Sequence, residues 1–561
     1  MVDPVSVQPA AALTVYLECG DKGPCMAHVP SLPGCYVRAR TRETALDALP
    51  GAVQDYYAWL RRHGEPAPAK EAGVELELVG EVTGTGPFDP GDAAALFPPD
   101  REPLGPEEME QYLRLMGHSR TDLLALVADL EDDVLDWQPD PMPVSVRRLL
   151  RHVGNAEQWY VSRLVDPETL PAEWHRDREM PILAFLEMER RTAVQRLRSL
   201  TKAQRAEVVH PQHRTRHPEE PWTARKALRR FLEHEREHAS QIREILSSYR
   251  QRLLARLAYE RTSLLAQLLG LDEAVLTGLL VGEGWTVKDL LAHVAGWDRW
   301  QKNSMQAMVA GEEPVFDAVD DIDAANERFV AAWRGASLEA VVAEHSAARS
   351  DWVAWLGDLP VEAFFRARTY HGYDWTFART PLRIQWEHDA EHTAQIAAWR
   401  RAEKPGGRAG PLRVLRAVLD AGREELLAAA RLMPPEQRTS YPVCGHWTAH
   451  DVIGHLADWE WIGVEGLRNM VAGGAPGVEP MRDIDLWNAE RVAARRAQPW
   501  SSVWEDLHAA RRAFVEAVDA LDPALLGRLH AFPWGGHGTA YDWVSIYVAH
   551  DREHAEQLRL E

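Results

Sequence analysis

Cysteine is scarce in this chain, and long uncharged apolar runs are absent. Four cysteines among 561 residues are too few for a disulfide framework and show no paired metal-site spacing, so free, buried thiols are expected. They are Cys19, Cys25, Cys35 and Cys444. No run of about eighteen apolar residues occurs, and the N-terminal tetrapeptide MVDP lacks the features of a secretion signal. These absences predict a cytoplasmic protein that does not bind membranes.

Positive charge is also in deficit. Lys and Arg number 63 against 85 Asp and Glu, a net charge of −22, which disfavours binding to nucleic acids and anionic membranes. Hydrophobic residues make up 45% of the chain and charged residues 26%, as in ordinary folded proteins. A chain of this length and composition is expected to form several domains.

The first segment differs in pattern from all that follows. After a tail over 1–10, residues 11–85 predict a small α+β domain, because short strand-like stretches flank one segment of helical periodicity. The predicted strands are 13–18, 25–29 and 74–79, and the predicted helix is 41–62 with Thr41 as its cap.

Two motifs in this segment point to a known family. Residues 29–35 read V-P-S-L-P-G-C, and residues 41–45 read T-R-E-T-A at the helix start. The segment resembles the HicB-type antitoxin fold, a small β-β-α-β module. This resemblance implies a protein-binding module, although the DNA-binding segment usual in that family is not recognisable. An interaction or oligomerisation domain with a protein partner is therefore expected, and an antitoxin-like role is the alternative.

A linker and a long helical region follow. Residues 86–106 are rich in Pro and Gly and predict a domain boundary. From residue 107 to the end, apolar residues recur with a period of 3.6, which predicts an all-helical region.

Internal repeats divide this helical region into three. The segment 285–297 recurs as 447–459, and the H-D-x-E-H motif at 388–392 recurs at 550–554, both offset by 162 residues. A shorter, divergent copy lies before them, with its motifs at 145–152 and 234–238.

Each copy has about 150 residues, the size of a four-helix bundle. The predicted fold is therefore mainly α, with three tandem four-helix bundles after a small α+β domain. The bundles span 107–248, 249–404 and 405–561, and helical periodicity over 239–270 predicts a helical connection between the first two.

Each copy carries one histidine behind a helix cap. Ser145, Thr286 and Thr448 are predicted N-caps, and Asp289 and Asp451 complete capping boxes in two copies. A histidine follows seven residues after each cap, on the apolar face of the helix. These histidines are His152, His293 and His455.

A second pair of histidines lies near the end of each copy. The spacing i, i+4 puts both imidazoles on one helix face, where they can chelate one ion. Together with the capped-helix histidine they predict a three-histidine metal site with an open position, the layout of catalytic zinc. The pairs are His234 and His238, His388 and His392, and His550 and His554, followed by Gln241, Gln395 and Gln557. The alternative is that these histidines serve only in packing or hydrogen bonding.

The repeated motifs carry a second resemblance. The second and third copies read W-[ST]-x-x-D-x-x-x-H, D-x-D-x-x-N and H-D-x-E-H-x-x-Q, and resemble the ClbS/DfsB-like branch of the DinB superfamily. The first copy, with Val144 in place of the Trp, resembles the broader DinB/YfiT branch. The resemblance implies a divalent metal, zinc or nickel, in up to three sites per chain. It also implies thiol-dependent transferases and isomerases that use low-molecular-weight thiols, and relatives that open strained electrophilic genotoxins.

Further residues are candidates for catalysis or substrate contact. Glu235, Asp389 and Asp551 follow the first histidine of each pair, as the general base does in H-E-x-x-H proteases, and are the candidate catalytic residues. A solvated or supporting role is the alternative. Asp323 and Asp485 are expected to cap a helix. Asn326, Asn488, Trp297 and Trp459 are candidate substrate contacts, with core packing as the alternative.

Together these features favour a metal-dependent transferase or hydrolase that acts on electrophilic small molecules in detoxification or self-resistance. A low-molecular-weight thiol is the expected cosubstrate. The alternatives are a binder that sequesters a toxic compound without turnover, and an antitoxin-like protein that acts through residues 11–85.

Overall fold

The structure is a computed structural model. It describes residues 12–20, 24–69, 73–83, 94–139, 144–165, 180–282, 284–314, 320–370, 373–405, 409–477 and 483–559. The chain forms two compact units, one from residues up to Ile245 and the other from Leu246 onward. As predicted, it is mainly α-helical with a small N-terminal sheet. The predicted tail 1–10 and the first part of the predicted linker lie outside the described residues.

A four-stranded sheet and one helix form the N-terminal domain. The elements are β1 (Leu13–Cys19), β2 (Cys25–His28), β3 (Tyr36–Ala39), α1 (Arg42–Arg62) and β4 (Leu76–Thr83). The strand order is β3-β2-β1-β4, in which β1 pairs antiparallel with β2 and parallel with β4. The helix begins at the predicted cap, because the Thr41 side chain accepts a hydrogen bond from the Thr44 amide.

Two predictions for this domain were wrong. The β-β-α-β order missed β3, a strand of only four residues that follows the turn at Gly34. The expectation of free thiols fails for Cys19 and Cys25, which form a disulfide because the β1–β2 pairing puts them directly opposite each other. Cys35 and Cys444 are free.

The second half of the predicted linker is packed rather than extended. Phe97 is buried, and a short 3₁₀ helix spans Pro98–Arg101. Within it, the buried Asp100 carboxylate lies 2.8 Å from the Arg229 guanidinium. This segment is therefore part of the first unit.

Long helices in each repeat form the bundles, and short β-hairpins connect some of them. The first bundle comprises α2 (Pro106–Val127), α3 (Asp132–Asp136), α4 (Val146–Val161), α5 (Ile182–Arg198) and the beginning of α6 (Ala224–Ala266). The second comprises the end of α6, α7 (Glu273–Gly278), β5 (Leu280–Gly282), β6 (Trp285–Thr286), α8 (Val287–Ala310), α9 (Ile322–Trp333), α10 (Leu338–Asp358), α11 (Val361–Phe365), β7 (Arg368–Tyr370), β8 (Tyr373–Trp375) and α12 (Thr380–Glu403). The third comprises α13 (Leu412–Leu432), β9 (Pro442–Cys444), β10 (Trp447–Thr448), α14 (Ala449–Val471), α15 (Ile484–Arg495), α16 (Trp500–Asp519), β11 (His530–Ala531), β12 (His537–Gly538) and α17 (Ala540–Leu558).

The second and third bundles share one hydrophobic core within the second unit. Its buried side chains come from both bundles, among them Leu264 and Val418. Hydrogen bonds also join the two bundles: Thr262 Oγ1 donates to the Ala421 carbonyl at 2.9 Å, and Arg552 donates to Ser263 at 3.1 Å. These two bundles are therefore packed as one body.

No helix among the described residues combines the length and the apolar composition that a membrane crossing requires.

Candidate metal centres

Each bundle brings three histidines together at one point. The predicted caps are confirmed: Ser145 accepts from the Arg148 amide, and Thr286 and Thr448 form capping boxes with Asp289 and Asp451. Because the cap fixes where the helix starts, it also fixes the face on which the histidine seven residues later lies. That face meets the histidine pair of the last helix.

The ring nitrogens that converge are all Nε2. In the first bundle, Nε2 of His234 lies 3.0 Å from Nε2 of both His152 and His238. In the second bundle, Nε2 of His388 lies 2.8 Å from Nε2 of His293 and 2.9 Å from that of His392. In the third, His550 is 2.9 Å from His455 and 3.1 Å from His554. The potential ligand atoms of each triad lie within 4.8 Å of one another.

A glutamine orients the last histidine of every triad. Nδ1 of His238 and of His554 lies 2.7 Å from Oε1 of Gln241 and Gln557, and the equivalent distance from His392 to Gln395 is 2.9 Å. An amide oxygen only accepts hydrogen bonds, so Nδ1 carries the proton and Nε2 keeps its lone pair. Metal-binding histidines are held in this way by a partner on the other ring nitrogen.

The electrostatic environment keeps the capped-helix histidine of each triad neutral. Burial, and next to it the charge of neighbouring imidazoles, lowers the pKa of the capped-helix histidine in each triad. The pKa falls to about 4 for His152 and to about 2 for His293 and His455. A neutral imidazole is the form that binds a metal ion.

These donor sets fit a divalent metal ion. Three imidazole nitrogens face one point, and zinc–nitrogen bonds of about 2.0–2.1 Å can join all three at such separations. Three protein ligands leave at least one position for water or substrate. In each bundle the triad itself would hold the ion, and the glutamine would fix the orientation of one ligand.

The candidate catalytic acids do not belong to these triads. Glu235, Asp389 and Asp551 are almost fully buried, and each pairs with two arginines, all buried except the half-buried Arg190. A residue one position along an α-helix lies about 100° around its axis, so an acid next to a histidine faces another way. The solvated-face alternative was therefore wrong, since all three acids are buried. The role as general base stays a prediction.

The acids form part of a buried charge quartet that recurs in each bundle. Two arginines from the first and third long helices bridge two carboxylates from the second and fourth. In the third bundle, for example, Asp551 lies 2.8 Å from Arg423 and 2.5 Å from Arg511. The quartets are Arg120, Arg190, Glu157 and Glu235; Arg261, Arg349, Asp298 and Asp389; and Arg423, Arg511, Glu460 and Asp551.

Each quartet balances two positive against two negative charges. Burial alone would raise the pKa of Asp551, but Arg423 and Arg511 outweigh it and lower the pKa. Sequence reasoning missed the arginines, although Arg261 and Arg349 recur as Arg423 and Arg511 at the 162-residue offset.

The candidate substrate contacts lie in pairs. The Trp297 indole donates a hydrogen bond to Asn326 Oδ1 at 2.9 Å, and Trp459 donates to Asn488 Oδ1 at 3.0 Å. All four side chains are half-buried. The Trp459 ring also lies 6.2 Å from the His455 ring.

Asp323 and Asp485 are not the helix caps. The caps are Asp321 and Asp483, whose side chains accept from the Ala324 and Leu486 amides, so that prediction was displaced by two residues.

Two tryptophans that sequence reasoning did not assign to the site border the triads. The ring of Trp285 lies 4.9 Å from the His293 ring, and that of Trp447 lies 4.8 Å from the His455 ring. Each occupies a two-residue strand of a hairpin immediately before the helix cap, which turns the indole towards the histidine. The sequence signal for this role was the tryptophan directly before the cap, which occurs in both the second and the third copies. In the first bundle, Tyr160 approaches the triad instead, 5.8 Å from His234.

Comparisons with known proteins match three stretches of the helical region. Residues 115–242 and 419–558 match the DinB superfamily model, and residues 257–388 match the mycothiol maleylpyruvate isomerase N-terminal domain. A stretch of 59 residues, 10% of this chain, is 32% identical to UPF0150 protein Ta0767 of Thermoplasma acidophilum and covers 86% of it. Over that stretch the chain belongs to the UPF0150 family. No solved structure matches the chain.

Proposed function

We propose that this chain, whose three helical bundles are DinB-like, is a metal-dependent enzyme that joins a low-molecular-weight thiol to electrophilic small molecules. The observation that carries the proposal is the convergence of three Nε2 atoms in each bundle, with Nδ1 of the last histidine hydrogen-bonded to a glutamine. A divalent ion bound by three such ligands supplies an open position that activates a thiolate or a water molecule.

Two observations favour a thiol over water as the nucleophile. The family model that residues 257–388 match is named for the N-terminal domain of mycothiol maleylpyruvate isomerase. In addition, the acid next to each histidine pair is bound by arginines, so it is a poor base for deprotonating water. A thiol is acidic enough to ionise without such a base, and a zinc ion held by the triad would favour the thiolate form.

The chain's own residues would bind and orient the reactants. Trp447 and Trp459 present apolar indole faces beside His455, which favours an electrophile with an apolar or planar body and keeps water from the reacting atoms. In the reaction a carbon–sulfur bond forms, the electrophilic bond opens, and the thiol proton ends on the product. This chemistry suits the removal of reactive toxic compounds, as in the ClbS-like branch that the second and third copies resemble.

Metal content tests the first part of the proposal. Untagged full-length protein should bind about three divalent ions per chain, measured by mass spectrometry after adding zinc or nickel. A variant carrying His152→Ala, His293→Ala and His455→Ala should bind none. His213→Ala and His446→Ala remove exposed histidines outside the triads and should leave the metal content unchanged. Absence of metal in the parent protein would refute a metalloenzyme.

Reaction with a model electrophile tests the second part. We expect the metal-loaded protein to accelerate consumption of an epoxide or a Michael acceptor only when a thiol is present, with formation of the thioether. Consumption without thiol would instead indicate a hydrolase. Saturable binding with intact recovery of the compound would indicate sequestration.

A further inference from the structure

The N-terminal domain packs on the helix that carries the first histidine pair. The turn that contains Gly34 lies so close to α6 that a Cβ there would be 3.0 Å from Leu232 Cβ and 3.2 Å from Arg236 Cδ. One turn along α6, the Arg236 guanidinium covers the rings of Trp59 and Tyr56 at 4.5 and 5.2 Å. The turn of this domain that contains Gly34 therefore contacts the chain's own first bundle.

Charged contacts extend this interface to the neighbours of the histidines. His28 Nδ1 lies 2.8 Å from Glu233 Oε1, and Arg38 donates to Glu237 Oε1 at 2.6 Å. Glu233 and Glu237 directly precede His234 and His238 in sequence. The α6 face that the N-terminal domain covers is thus adjacent to the face that forms the first triad.

Charges from both sides of this interface act on the triad. Burial lowers the pKa of His238; Gln241 and Glu237 oppose that shift, whereas Arg230 and Arg38 add to it. Glu237 also acts on His152. The pair formed by Arg38 and Glu237 therefore belongs to the electrostatic surroundings of the first site.

The other two bundles differ at the same position. Four residues before the first histidine of each pair stand Arg230, Ile384 and Ile546. The Arg230 guanidinium donates a hydrogen bond to the Glu233 carboxylate at 2.9 Å, whereas Ile384 and Ile546 are 44% and 40% exposed. At this position the first site thus has a paired arginine, whereas the other two sites have exposed isoleucines.

We infer that the N-terminal domain forms one side of the first histidine site. Arg38 is a positioning residue there: its guanidinium holds the Glu237 carboxylate and offsets its negative charge beside His238. The metal affinity of the first site, unlike that of the third, then depends on a residue of another domain. This inference rests on the proposed function only in so far as the triad binds a metal.

Metal titration of single-site chains tests the role of Arg38. A full-length chain with His293→Ala and His455→Ala retains only the first triad, and one with His152→Ala and His293→Ala retains only the third. We expect Arg38→Gln to tighten Zn²⁺ binding at the first site by roughly threefold to tenfold, because Glu237 is left unneutralised near the dication. Loss of a merely structural contact would weaken binding instead.

Two controls make this titration specific. Arg38→Gln should leave Zn²⁺ binding at the third site unchanged, and Arg42→Gln, which breaks the exposed pair of Arg42 with Glu81, should leave the first site unchanged. Glu237→Gln should weaken binding at the first site and abolish the effect of Arg38→Gln. Equal effects of Arg38→Gln on both sites, or no effect on either, would overturn the assignment.

Hydrogen exchange tests the packing independently of metal. Gly34 and Gly64 both have positive φ, 86° and 72°, but only Gly34 has neighbours that an added Cβ would meet. We expect Gly34→Ala to accelerate amide exchange over residues 224–245, and Gly64→Ala to leave that segment unchanged. Equal amide exchange in the two variants would contradict the inference that the N-terminal domain packs on α6 beside the first site. If no chain binds metal, the proposed function fails, but this comparison still decides whether the domains are coupled.

Discussion

Nδ1 of His554 lies 2.7 Å from Oε1 of Gln557, one turn further along α17. The amide oxygen fixes the imidazole tautomer, so that Nε2 faces His550 with its lone pair free. The same relationship in the other two bundles shows that the triads are built around a defined protonation state.

The glutamine is expected to support metal affinity. In a chain that retains only the third triad, Gln557→Ala should raise the Kd for Zn²⁺ by about 10- to 100-fold, as loss of partners behind metal ligands does. Gln557→Glu keeps an acceptor and should preserve binding. Competition with a chelator measures both. Glu556→Ala, at an exposed neighbouring position, is the control, and an equal loss there would contradict the role of the glutamine.

Trp447 is expected to shield the third triad from solvent. Its ring lies 4.8 Å from His455, so Trp447→Ala removes an apolar wall, whereas Trp447→Phe retains an aromatic face. We expect metal to dissociate at least about tenfold faster from the alanine variant and to change little in the phenylalanine variant. Transfer of Zn²⁺ to an excess of chelator measures the rate. Similar rates in both variants would mean that the indole contributes no shielding.

The buried quartets are expected to act on stability rather than on chemistry. Arg511→Met leaves Asp551 and Glu460 with one arginine between them, and a buried charge without its partner costs about 3–5 kcal/mol. Asp551→Asn should destabilise the second unit as well, as measured by the denaturant midpoint. Arg334→Met, in an exposed pair with Glu327, should leave the midpoint unchanged. A stable but inactive Asp551→Asn protein would support the role of this residue as a general base.

Attachment of the N-terminal domain is expected to weaken at alkaline pH. Burial of the His28 imidazole opposes protonation, but Glu233 and Glu18 outweigh burial and the charge of Arg229, and raise its pKa. A histidine whose folded pKa is raised contributes its full stabilisation below the unfolded pKa of about 6.5. That stabilisation is lost as pH rises through the folded value.

Urea unfolding of the first unit at pH values between 6 and 9 measures this loss. The midpoint should fall with pH in the parent protein, and His28→Gln should flatten the slope. His213→Gln, at an exposed position, should retain the parent slope. An unchanged slope in the His28 variant would exclude this imidazole as the titrating group.

Predictions that depend on local sequence agree best with the structure. Thr286 and Thr448 cap their helices with Asp289 and Asp451, because a capping box involves only residues three positions apart. The i, i+4 pair of His388 and His392 lies on one helix face for the same reason. The internal repeat added long-range information, since it marked which upstream histidine belongs with which pair.

Predictions that depend on partners distant in sequence were missed or wrong. The acid after each first histidine was interpreted by analogy with a motif, but its direction is set by helical rotation and its partners come from other helices. Not every miss involves distant partners: Cys19 and Cys25 are only six residues apart, and their disulfide follows from the hairpin pairing of β1 with β2. Four residues of β3 are too few to give a periodic signal.

The sequence by itself determined the helical repeats, their caps and the three groups of histidines, because helix periodicity and capping are encoded within a few turns. Only the tertiary structure decided how buried charge is balanced and what covers each site. Arg120 meets Glu235, and Arg38 meets Glu237, across more than a hundred residues. Such pairings depend on which helix faces meet, and those faces are fixed by the packing of the whole unit.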